Sequence, residues 1–145
     1  MSSLGLPRSP LIAPGVALCG WTLIMEVWLY ALRIPALQKS KLQLRPEMTK
    51  TEMNSVIPAS SQWAADNFAH LCEQPTQFYA TLFALVQLNA NDDLTVGLAW
   101  GYVGLRVLHS LVQATANPIM TRFRIFALSS LTLAGLTVRA VQHLL

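Results

Sequence analysis

The chain has 145 residues, of which 53% are hydrophobic and only 12% charged, with a formal net charge of +3. An ordinary soluble domain carries about 25% charged residues, so half that level excludes a well-solvated globular surface, a disordered chain and a basic nucleic-acid binder. The mean hydropathy of +0.43 points instead to a membrane protein, in which the lipid sets where the basic residues fall.

Four apolar stretches follow in chain order, at about 11–34, 63–88, 94–116 and 119–141. Each is long enough to cross a bilayer as a helix, which takes roughly 20 residues. None alternates as a barrel strand would. The expected fold is therefore all-α, a single integral-membrane domain built as a four-helix bundle. The first stretch is longer than a signal-peptide core and is followed, not preceded, by basic residues. It reads as an uncleaved first span.

The connection at 35–62 holds Lys39, Lys41, Arg45 and Lys50, with a short surface helix expected around Glu47 to Asn54. The turn after the third stretch leads into Arg122 and Arg124, whereas 89–93 has no basic residue. The positive-inside bias places the long connection and the turn after the third span in the cytoplasm, and both termini on the non-cytoplasmic side. A bacterial inner membrane suits this arrangement. Cys19 and Cys72 lie in apolar stretches with no metal or disulfide spacing and read as small buried hydrophobes.

Polar residues inside the spans repeat at helical intervals. Span two carries Asp66, His70, Glu73 and Gln77. Span three carries Tyr102, Arg106, His109, Gln113 and Asn117, and span one Thr22, Glu26, Tyr30 and Arg33. Each set falls on one helix face, and intramembrane charges need a partner or a function. Glu73 and Arg106 sit at matched depth, about 15 Å from the inner ends of their spans at 1.5 Å per residue. They are expected to pair, with His70 and His109 level a turn away. This charged layer lies in the cytoplasmic half, which suggests a cavity open to one side. Arg33, Arg106 and Arg122 suit an anionic ligand through bidentate contacts. Pro75 should kink span two and free a carbonyl beside the cluster. Gly97, Gly101 and Gly104 form a small-residue face for close packing. His70, Glu73 and His109 lack the paired Glu-x-x-His set of di-metal bundles, so no metal is expected.

The segment from Asn67 to Tyr79, Asn-Phe-Ala-His-Leu-Cys-Glu-Gln-Pro-Thr-Gln-Phe-Tyr, and the segment Leu105-Arg-Val-Leu-His109 followed by Gln113, Asn117 and Arg122-Phe-Arg, resemble one family. It is that of the membrane-associated proteins in eicosanoid and glutathione metabolism (MAPEG), and the likeness is greatest to small bacterial members. The resemblance implies a homotrimer with glutathione bound as cosubstrate between subunits, and a lipophilic small molecule entering from the membrane lipid. Glu73 would meet the glutathione amino group, Arg33 and Arg106 its carboxylates, and His70, His109 and Gln113 would line the site. Arg122 would be catalytic, lying near the thiol and favouring the thiolate. The implied function is a glutathione-dependent transferase or peroxidase acting on lipophilic electrophiles. The alternative is a non-catalytic member serving lipid binding or partner interaction. Asp66 and Ala69 stand where well-studied enzymes have basic residues, His70 where the family often has Asn, and Gln113 where several members have Tyr.

Overall fold

A computed structural model describes residues 8–145, so most of the N-terminal tail used in the topology reading lies outside the described residues. The described chain is helical, with six segments: α1 (Ile12–Lys39), α2 (Lys50–Val56), α3 (Ala59–Glu73), α4 (Pro75–Gln87), α5 (Asp93–Thr115) and α6 (Ile119–Leu144).

Local chemistry sets these boundaries. The expected surface helix is present as α2, starting three residues later than the pattern suggested. Thr49 and Glu52 close a capping box there, each side chain bonding the other's backbone N–H. Asp92 caps α5, accepting from the Thr95 backbone N–H at 3.1 Å and from its hydroxyl at 2.7 Å. At the end of α4, Asn89 adopts φ 55°. That left-handed residue lets Ala90 N–H reach Leu85 O at 3.0 Å and Asn89 N–H reach Val86 O at 3.1 Å, the paired bonds of a Schellman ending. Asn117, at φ 52°, turns the chain sharply between α5 and α6.

The stretch expected as one second span is broken at Gln74. Pro75 has no N–H to continue the α3 ladder and instead occupies the first position of α4, where none is needed.

The core is a seam of Leu18, Met25, Leu71, Phe78, Leu82, Leu85, Tyr102, Val103 and Leu136. Much of the remaining apolar surface faces outward: Val16, Val27, Phe83 and Leu131 are each about two-thirds exposed. Among the described residues, two helices are long and apolar enough to cross a membrane, α1 (mean hydropathy 1.6) and α6 (1.4). Only 28% and 22% of their apolar windows are buried, far less than the central helix of a soluble core would show. Lipid or a protein neighbour must cover that surface.

Two expectations fail on helix geometry. Cys19 and Cys72 are free but exposed, not buried. Gly97 and Gly104 have no neighbour within 4 Å of a would-be side chain, and Gly101 meets only Thr132 Cγ2 of α6, at 3.9 Å. The glycine stripe thus faces away from the protomer core.

Candidate functional site between α3, α5 and α6

The site grows from the register of α3 against α5, which run antiparallel. Gln74, the residue at the helix break, meets Tyr102 and Arg106 of α5: its Oε1 accepts from the tyrosine hydroxyl and from Arg106 Nη1, both at 3.4 Å. Its Nε2 donates to Ser130 Oγ of α6 at 2.7 Å. One turn along, the rings of His70 and His109 stand edge to face with centroids 6.0 Å apart. A further turn along each helix lie the buried Asn67 and Gln113.

Arg106 is fully buried and is held without a carboxylate. Its Nη2 donates to the His70 carbonyl at 2.8 Å, an acceptor available where α3 ends, and its Cζ lies 5.7 Å from the centre of the Phe126 ring. Neutral acceptors and a ring face offset the desolvation of this guanidinium. The expected Glu73–Arg106 ion pair is therefore corrected. Glu73 is one residue, about 100° of helix, away from the inward face defined by Asn67, Leu71, Gln74 and Phe78. Its side chain is 68% exposed and contacts only His70 Nδ1, at 3.4 Å.

A cleft of roughly 200 Å³ opens onto this seam, lined by His70, His109, Arg122, Phe126, Ile119 and Phe123. Phe126 stands centrally, 6.3 Å from His70 and 6.0 Å from His109. Asn117 Oδ1 accepts from Arg122 Nη1 at 2.6 Å, which fixes the guanidinium at the cleft wall. No carboxylate lies within 4.0 Å of Arg122 among the described residues. Its charge is thus free for an anion.

Of the residues expected from sequence, His70, His109 and Arg122 converge on the cleft, Arg106 lies directly behind it, and Gln113 continues the same α5 face. Glu73 sits at the outer rim beside His70. Arg33 is elsewhere: its Nη2 contacts Met53 Sδ at 3.0 Å, and it lines a separate cavity with Lys50, Asn54, Gln62 and Asp66. One chain does not bring Arg33 to the cleft. Sequence reasoning missed Gln74, Asn67 and Phe126. The signal for the first two was a second polar spacing, Asn67 to Gln74 at i, i+7, beside the charged one.

Buried polar atoms without a protein partner cluster here: both amide atoms of Asn67 and of Gln113, Ser110 Oγ, His109 Nδ1 and Arg106 Nε. Each such atom costs free energy unless something bonds it. The seam is therefore chemically suited to a polar guest or water behind the cleft.

An all-helical chain with outward apolar faces, two helices fit to span a membrane and a charged cleft between helices belongs to the class of integral membrane proteins with an internal polar site. A family model described as the MAPEG family matches residues 11–142, nearly the whole chain, and the protein is a member of that family. No curated protein matches it, and no solved structure does.

Proposed function

We propose that the protein is a glutathione-dependent transferase or peroxidase that acts on lipophilic electrophiles at the membrane. The observation that carries this reading is the cleft in which Arg122, tethered by Asn117 but facing no carboxylate, stands beside His70 and His109 over the buried Arg106. A guanidinium at that position lowers the pKa of a bound thiol and favours the thiolate, the nucleophilic form. In a displacement, the sulfur–carbon bond forms as the bond to the leaving group breaks, and the thiol proton passes to solvent. Exposed Phe123 and Ile119 at the cleft mouth give an apolar approach from lipid.

The residues fit glutathione only in part within one chain. A cleft of roughly 200 Å³ is smaller than the 300–1,000 Å³ typical of ligand sites, and Arg33 faces a different cavity. This supports a homotrimer with the site completed between copies, in which Arg33 comes from a neighbour and Glu73, with no full-charge partner of its own, meets it or the ligand. In this arrangement the chain crosses the membrane four times as a four-helix bundle, with α3 and α4 together making the second crossing. The site opens toward the cytoplasm, and both termini lie on the opposite side, the inner membrane of a bacterium being the membrane that suits it.

The test is calorimetric titration of the purified protein with glutathione, followed by conjugation of a chlorinated aromatic substrate. Binding and turnover are expected, with turnover lost in Arg122→Ala and binding lost in Arg106→Ala. A folded protein that gives no heat with glutathione overturns the reading in favour of a non-catalytic lipid- or partner-binding member.

A further inference from the structure

A second opening lies on the other side of α3. Near one end α1 is held against α3, where Ser61 Oγ donates to the Leu32 carbonyl at 3.3 Å. Near the other it is held against α4, where a Cβ added to Gly15 would stand 2.8 Å from Leu82 Cδ2. Between these contacts a groove of roughly 460 Å³ opens outward, more than twice the volume of the cleft. Cys19 and Thr22 of α1, Cys72 of α3 and Thr76 of α4 are too small to fill the space between the helices, and Leu23, Leu71 and Tyr79 give it apolar walls. Cys72 is two residues, about 200° of helix rotation, from His70. The groove and the cleft accordingly share no lining residue.

Among the described residues no lysine, arginine or histidine lines the groove, but a carboxylate stands at its edge. Glu26 follows Thr22 and Leu23 by one turn of α1, on the same helix face, and its charge reaches the Cys72 thiol of α3. Tyr30 Oη donates to Glu26 Oε1 at 2.8 Å. Among the described residues no cation lies within 4.0 Å of this carboxylate. Glu26 is half-buried and sits near the middle of α1, a helix long and apolar enough to cross a membrane. A carboxylate at that depth calls for a counter-charge. Neither Glu26 nor Tyr30 lines the cleft, so the glutathione reading gives this pair no task.

We propose that this groove is a binding site for lipophilic cations, the apolar body lying along Leu23, Leu71 and Tyr79 and the positive centre against Glu26. The volume falls within the roughly 300–1,000 Å³ of small-molecule sites. The apolar walls match a hydrocarbon or aryl body reaching the groove from lipid, and the carboxylate supplies a single charge of the opposite sign. The site is separate from the cleft and does not depend on glutathione.

The probes are tetraphenylphosphonium and tetraphenylborate, nearly alike in shape and opposite in charge. Binding of each to the full-length protein in detergent is measured by equilibrium dialysis, with protein-free micelles as the blank. The wild type should bind the phosphonium saturably and the borate far more weakly. Glu26→Gln keeps the side-chain shape and removes the charge, and should weaken phosphonium binding by about tenfold or more. Cys72→Phe, at an exposed position, narrows the groove with Glu26 in place and should weaken it as much. Because neither residue touches the cleft, glutathione binding should match the wild type in both variants. No saturable phosphonium binding to the wild type overturns the inference. So does borate bound as tightly as phosphonium, or phosphonium bound equally by the wild type and both variants.

Discussion

The two polar faces of α3 are built from similar residues and have opposite fates. One, running through Asn67 to Gln74, is buried against α5 and α6, where Gln74 joins Arg106, Tyr102 and Ser130. The other, through Asp66 and Glu73, is exposed on the protomer surface. The uncharged polar residues went inward and the carboxylates outward. Burial of a carboxylate requires a matched cation with full hydrogen bonding, whereas an amide is satisfied by ordinary neutral partners. In a membrane, however, an exposed carboxylate needs a partner too, so the outward face is the one that asks for a second protein copy or a ligand.

Substitutions that treat the faces differently test this contrast. The largest effect is expected at Arg106, because its removal takes the side-chain donor from the His70 carbonyl and one of the donors from Gln74 Oε1, and opens space under Phe126. Arg106→Ala should lower protomer stability by roughly 3 kcal/mol, read as a drop in thermal midpoint in detergent. A change near zero would mean that the seam does not hold α3 to α5. Gln74→Leu comes next. It keeps volume but strands Arg106 Nη1 and leaves Ser130 Oγ only its bond to the Phe126 carbonyl, and should cost about 1–3 kcal/mol. Glu73→Gln should behave in the opposite way. Unfolding of the protomer should shift by no more than roughly 0.5 kcal/mol, as for other exposed positions, while oligomer mass in detergent or glutathione affinity falls. If Glu73→Gln instead unfolded the protomer and left assembly and binding unchanged, the distinction between the faces would be wrong.

How much of this was legible beforehand follows from the same contrast. Helix class, the break at Pro75 and the α2 segment follow from apolar run length, a missing N–H and a capping pair, all of them local. The meeting of His70, His109 and Arg122 was also within reach, since i, i+4 spacing and matched depth on antiparallel helices bring such residues level. Which face of α3 points inward was not. Charge draws the eye to Asp66 and Glu73, and the competing stripe of Asn67 and Gln74 is rotated by only about 100°. The placement of Arg33 depended on where α2 folds back, a tertiary fact with no signature in periodicity. The outward turn of Cys19, Cys72 and the α5 glycines was missed for the related reason that apolar sequence marks burial in lipid and burial in protein alike.

The smallest effect is expected far from the cleft, where α5 begins. Asp92 accepts from Thr95 and from Arg139 Nη2 at 2.9 Å, with His143 Nε2 also 3.5 Å from its carboxylate. The Thr95 hydroxyl first, and then Arg139, hold the Asp92 carboxyl well below the usual carboxylate range. A depressed folded-state pKa contributes stability that is fully present above the unfolded value, near 3.9, and lost as pH falls toward the folded value. Thermal midpoints of the wild type and Asp92→Asn should therefore differ above about pH 5. The gap should narrow as acid is added below about pH 4. Because the carboxylate is open to solvent, salt should also shrink the gap. A difference that grew on acidification below about pH 4 would mean that the carboxylate destabilises this turn relative to its protonated form.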